Sequence, residues 1–272
     1  MNSLKYIAII VFYYPDYFEK SSLRFKKMIA NNCKNEILTV AVNNNPSNIS
    51  EIKGFDVVLD GKITSSEFYA WDLAINYLRN EGYELDGVSF LLANDTFCKH
   101  RYYSSIHEKT FFRSIKNIGL LKSPILIGET NSLGSSYSIL GLHSGCWVST
   151  YLFSFNYAFL SKMKNIVLSE SSFSSCLSVQ SDGRVFWTKR ISSNLKNHIN
   201  NWVDNNWYKK DLVKKDLELK RWKLHSILNE KYLSAYCIQT GGALKDPYRQ
   251  NLILFLYFRF LCKAYSFFRL RK

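Results

Sequence analysis

The chain has 272 residues, 47% of them hydrophobic and 21% charged, which excludes intrinsic disorder and suits a large domain over residues 1–190 followed by a helical C-terminal region over 191–272. A formal net charge of +14 suggests either an anionic partner (nucleic acid, anionic lipid or a phosphorylated substrate) or simply a Lys-rich solvated surface. None of the six cysteines forms a C-x-x-C pair, no run of 18 apolar residues exists and no cleavable leader is visible, so zinc fingers and membrane spans are excluded and a reducing, cytoplasmic setting is expected.

The elements follow in order. Tyr6–Tyr14 is a nearly unbroken apolar run, the pattern of a strand covered on both faces. Ser21–Ala30 has helical spacing through Leu23, Met28 and Ile29. Glu36–Val42 predicts a second strand, ended by the turn-forming Asn43, Asn44, Asn45 and Pro46, and Phe55–Leu59 predicts a third. Glu67–Arg79 predicts a helix with Phe68, Trp71, Ala74, Ile75 and Leu78 on one side. Val88–Ala93, Ile125–Gly128 and Trp147–Phe155 are further strand candidates. Strands alternating with helices imply an α/β fold with a doubly wound, mostly parallel sheet, in which ligands bind beyond the carboxyl ends of the strands. The residues at those ends are Tyr13–Asp16, Asn43–Asn45, Asp60 and Asn94–Thr96. Past residue 190 comes an amphipathic, Lys-rich helix through Leu212, Val213, Leu217, Leu224, Ile227 and Leu228, then a break at Gly241, Gly242 and Pro247.

Several chemistries lack their motif. The turn after the first strand holds no glycine, against a dinucleotide fold, and there is neither a P-loop nor an H-E-x-x-H pair. Gly141–Gly145 (GLHSG) resembles a nucleophile elbow but carries His143 at its centre instead of Ser. The segment that stands out is Leu91–Cys98 (LLANDTFC), an apolar strand ending abruptly in Asn94 and Asp95. A carboxylate there can hold a hard divalent cation against phosphate oxygens; the competing reading is an Asx turn or helix N-cap.

Ser65–Leu78 (SSEFYAWDLAINYL), one short loop before LLANDTFC, completes a pattern. Glu67, Phe68 and Trp71, then Leu92, Ala93, Asn94, Asp95 and Thr96, resemble the GT-A-fold bacterial glycosyltransferases of the broad family-2 type. The group around the rhamnan-synthesis F proteins of capsule, O-antigen and cell-wall polysaccharide assembly is the nearest in pattern. Gly141–Leu160 resembles that group's acceptor-side strand and following helix, so the resemblance covers roughly Tyr6 to Leu160.

The resemblance implies roles. Phe12 and Tyr14 would border the nucleotide base, Asn43 and Asn44 the base and ribose, with Asp60 or Glu67 as the next acidic contact. Asn94 and Asp95 stand where the family carries its Asp-x-Asp motif, here reduced to one Asp, so Mg²⁺ or Mn²⁺ would be held by Asp95 with the donor diphosphate and waters. A departing nucleoside diphosphate needs positive charge, and an acceptor hydroxyl needs a base. Glu129, ending the Ile125–Gly128 strand, is the first candidate base, ahead of Asp182 and Glu170. His143 would hydrogen-bond the acceptor or a phosphate, or else be an ordinary loop histidine, and Trp147 would stack on an acceptor sugar or fill the core. The partners implied are a nucleoside-diphosphate sugar and a growing glycan or a polyprenyl-diphosphate-linked acceptor.

Tyr248–Lys272 carries six basic residues and no acid among many apolar ones, the pattern of a helix lying in an anionic membrane interface on the inner face of the cell membrane. A helix docked on the domain is the alternative. Two other functions compete with sugar transfer: nucleic-acid binding, disfavoured by dispersed basic residues and the lack of any recognition motif, and a membrane-surface scaffold without activity.

Overall fold

Tyr6–Phe12 forms β1, Ile37–Asn43 β2 and Val57–Asp60 β3, and Ser89–Asn94 forms β4, all parallel. The structure is a computed structural model describing residues 4–33, 36–45, 52–61, 66–99, 103–206 and 216–269. Of the expected helix through Leu212–Leu228, Leu212 and Val213 therefore lie outside the described residues. The sheet runs β3-β2-β1-β4, then turns back through the antiparallel β8 (Trp147–Asn156), and ends with β5 (Ile125–Asn131) and β11 (Ala243–Lys245). Two antiparallel pairs accompany it, β6 (Tyr137–Ile139) with β7 (Leu142–Ser144) and β9 (Leu177–Val179) with β10 (Val185–Trp187). This is an α/β fold with a mostly parallel sheet, as expected from the alternation of strands and helices.

The alternation of side chains along β1 and β4 feeds two layers. Ile7, Ile9, Val11, Phe90 and Leu92 face α2 (Glu67–Asn80) and α7 (Leu217–Gln239). Ala8, Ile10, Phe12, Leu91 and Ala93 face α1 (Pro15–Asn32) and α3 (Ser105–Ile115). A smaller third core joins the β6–β7 hairpin and α5 (Glu170–Cys176) to α6 (Ser193–Asn201) and α7. β8 is buried along nearly all its length because β4 and β5 flank it and helices cover both faces, which explains its weak alternation in sequence. The first helix begins at Pro15, six residues before the expected Ser21, since proline suits the first helical position. The chain beyond residue 190 returns to the main body: β11 extends the sheet beside β5, and Leu233 and Cys237 of α7 lie in the α2-side core.

All six cysteines are free thiols. Among the described residues no helix is long and apolar enough to cross a membrane.

Candidate functional site

The parallel strands bring their carboxyl ends to one edge. β1 exits at Tyr13 and Tyr14, β2 at Asn43–Asn45, β3 at Asp60 and β4 at Asn94–Asp95; β5 exits at Glu129–Asn131 and β11 at Asp246, while β8 starts there at Trp147. The edge from β2 to β5 crosses four strand spacings, roughly 19 Å.

Asn94 closes an Asx turn, its Oδ1 accepting from the Thr96 amide at 3.1 Å and the Thr96 hydroxyl at 2.6 Å. Asp95 is 1% exposed, and its Oδ2 accepts from the backbone amides of Tyr13 at 2.7 Å and Tyr14 at 2.5 Å. The carboxylate thereby ties the end of β4 to the turn leaving β1. Burial pushes it up from 3.8 to about 7, against the pull of the two amides, and the charge of Glu67 pushes the same way. Oδ2 already takes two N–H bonds in a desolvated turn, which weakens that oxygen as a ligand for a hard cation.

The other residues singled out in sequence divide between edge and core. Asn45 donates to the Tyr13 carbonyl and its amide to Asn43 Oδ1 at 3.3 Å, knitting the β2 turn to the β1 turn. Asn44 is buried against Gly61, where a Cβ would come within 2.6 Å of Asn44 Oδ1. Asp60 is exposed, Tyr14 half-buried, and Glu67 accepts from Ser226 of α7 at 3.2 Å. Phe12 is fully buried, edge-on to Phe18 at 4.8 Å, so its ring belongs to the core and does not border an open edge. Trp147 also belongs to the core, beneath the Lys231 ammonium at 4.2 Å. His143 is exposed just past the β6–β7 turn, in which Leu140 and Gly141 both have positive φ, 54° and 81°; the near-miss elbow is a hairpin turn. Asp182 is exposed on the β9–β10 turn, and Glu170 is paired with Arg221.

Glu129 is in a different setting. The ladder between β5 and β8 slips here: Gly128 pairs with Phe153 but Thr130 with Val148, so four β8 residues oppose Glu129 alone. Such bulges re-aim side chains. This one turns the Tyr151 hydroxyl onto Glu129 Oε2. Both residues line a cavity of about 310 Å³ together with Tyr103, His107, Tyr248, Arg249, Phe258 and Arg259. The last two belong to α8 (Leu252–Arg269). Asp246 holds this wall in place. It accepts from the amide and hydroxyl of Thr130, both at 2.9 Å, and from the Tyr248 amide at 2.8 Å, and pairs with Arg249 at 3.2 Å. Burial and the Arg24 guanidinium hold His107 down to about 4, so its ring is neutral near pH 7 and packs 3.9 Å from Phe258.

No family model matches the chain, and no curated protein matches it. The cavity joins one half-buried carboxylate, a tyrosine hydroxyl bonded to it, two guanidinium groups and aromatic walls. Such a set can take a proton from a hydroxyl and hold an anion beside it. Tyr151, Arg249 and Asp246 were not singled out in sequence as site residues. Asp246 sits in a Lys-Asp-Pro turn, and the strand before it is only three residues long.

A second cavity, about 580 Å³, lies between α2 and α7 and is lined by Tyr69, Glu170, Arg221, Trp222 and His225. Glu170 takes Tyr69 and Arg221, His225 bonds the Leu168 carbonyl at 2.8 Å, and Ser66 Oγ, also on this wall, is buried without a hydrogen-bond partner.

Proposed function

We propose that the protein is a GT-A-like glycosyltransferase that moves a sugar from a nucleoside-diphosphate donor to a glycan or polyprenyl-diphosphate-linked acceptor in surface-polysaccharide assembly. The observation that carries this reading is the cavity at the carboxyl edge, in which Glu129 and two arginines meet. Edge residues Tyr14, Asn43, Asp60 and Glu67 supply contacts for the nucleoside, and the edge is wide enough to lay out base, diphosphate and sugar in line.

In a single displacement, the acceptor oxygen attacks the anomeric carbon as its proton passes to Glu129. The bond from that carbon to the diphosphate oxygen breaks, and the leaving nucleoside diphosphate keeps the electron pair. Arg249, on the cavity wall, offsets its charge. Tyr151 orients the carboxylate and hydrogen-bonds its ionised form.

A thermal-shift screen of nucleoside diphosphates, with and without Mn²⁺, tests the reading. At a concentration about a hundredfold above Kd, a cognate nucleotide adds about 2.7 kcal/mol, which is several degrees for a domain of this size. One base should stand out. Equal, negligible shifts for every nucleotide would overturn the assignment. If binding occurs, equal shifts with and without Mn²⁺ would agree with an Asp95 that does not hold metal.

A further inference from the structure

Helix α8 has two faces of opposite use. Its inner face carries Phe258, 4% exposed and packed on His107 and Tyr248, and Cys262, which lines the Glu129 cavity. Its outer face carries Leu252 (70% exposed), Ile253 (78%), Leu256 (56%), Tyr257 and Phe260 (69%). These recur at one-turn spacing and form a continuous apolar strip on one side of the helix. Scattered exposed leucines are ordinary on a protein surface, but a contiguous strip along one helix is not.

Charge decides what covers the strip. Arg259 and Lys263, both exposed and one turn apart, run along its margin, and the sequence has no acidic residue after Asp246. The two basic residues in mid-helix also prevent α8 from crossing a bilayer, in agreement with the absence of a spanning helix among the described residues. An apolar strip edged by long cationic side chains suits the boundary between acyl chains and anionic headgroups, where the chains bury the strip and the ammonium and guanidinium groups reach the phosphates.

We propose that α8 lies flat on an anionic lipid surface through Leu252, Ile253, Leu256, Tyr257 and Phe260. Because the opposite face of the same helix walls the cavity, docking holds Glu129 one helix diameter from the lipid headgroups. The docking stands on the two faces of α8 alone. That it brings a lipid-linked acceptor to Glu129 rests on the transferase reading. The Asp246 contacts to Thr130, Tyr248 and Arg249 fix the segment before α8 to the sheet edge, so the helix is held at this angle before any membrane is met.

Vesicle flotation of the full chain, without donor or acceptor, tests the docking. The protein should float with phosphatidylcholine vesicles containing phosphatidylglycerol and much less with phosphatidylcholine alone. Leu256→Asp with Phe260→Asp, both at exposed positions, should abolish flotation at an unchanged Tm. Arg259→Gln with Lys263→Gln should weaken it about 30-fold, and added salt should do the same. A folded Asp double variant that floats as well as the parent would overturn the proposal. So would a parent that ignores anionic vesicles and forms a dimer lost in that variant, since a second copy would then cover the strip. Glu129→Gln should float normally, so a failed transferase assignment and a failed docking assignment give different results.

Discussion

Replacing Asp95 by Asn should stabilise the protein, and do so more at high pH than at low. In the folded chain the carboxyl titrates near 7, while in the unfolded chain it titrates near 3.8. Between those values the folded state holds a proton that the unfolded state has released, so stability falls as pH rises through the window and is flat above it. The full penalty is on the order of 4 kcal/mol at alkaline pH. Asn keeps an oxygen for the Tyr13 and Tyr14 amides but never ionises. Other buried acids titrate alike in parent and variant, so the difference between the two proteins isolates Asp95. Urea unfolding of both at about pH 5 and about pH 8 should show the variant's advantage growing by about 3 kcal/mol. An advantage that does not change with pH would refute the reasoning, because the ionised carboxylate would then be no worse housed than the protonated one. The same variant separates the two uses of this residue. If Asp95 is a tie between turns, nucleotide-induced stabilisation survives the substitution.

Two further outcomes follow from single side chains. Asp72, 5% exposed, accepts from the Ile166 and Val167 amides at 2.8 and 3.0 Å, and Asp72→Ala leaves the buried Ile166 donor and the half-buried Val167 donor unpaired, a loss of about 2–4 kcal/mol read as a lower urea midpoint with an unchanged slope. Glu129→Gln should cut turnover by about 10²–10⁴ while leaving the nucleotide-induced Tm shift intact, and unchanged turnover would remove Glu129 as the base.

Much of the sheet was legible because its strands are buried on both faces. β1, β2 and β4 read as apolar runs, and α2 declared itself through Phe68, Trp71, Ala74, Ile75 and Leu78, every one of which is fully buried. Helix α3 was missed. Its buried face includes His107, Glu108 and Ser114, polar residues that break the apolar period, and it is capped by a Ser104–His107 pair in place of the usual Ser and Glu. β11 was missed because three residues give no period to count; tertiary pairing with β5 makes it a strand. Composition also cannot say that the chain comes back to the sheet at Ala243.

The two carboxylates at the sheet edge explain why the site was harder to read than the fold. Leu91–Cys98 signals itself because an apolar strand stops suddenly at Asn94 and Asp95, and that signal is faithful to where β4 ends. It carries no information about what the carboxylate meets. Asp95 meets two amides from a turn 81 and 82 residues away, which satisfy it and seal it from solvent. Glu129 lies in a less distinctive sequence, ILIGETN, yet the slipped register against β8 leaves it half-buried, bonded to Tyr151, and facing a cavity with two arginines from the far end of the chain. A base must exchange protons with a ligand, so partial exposure and a mobile proton network count for more than a position at the end of a conspicuous strand. On that criterion the proposed chemistry falls to Glu129, beside β5 and under α8, and Asp95 ties the exit of β4 to that of β1.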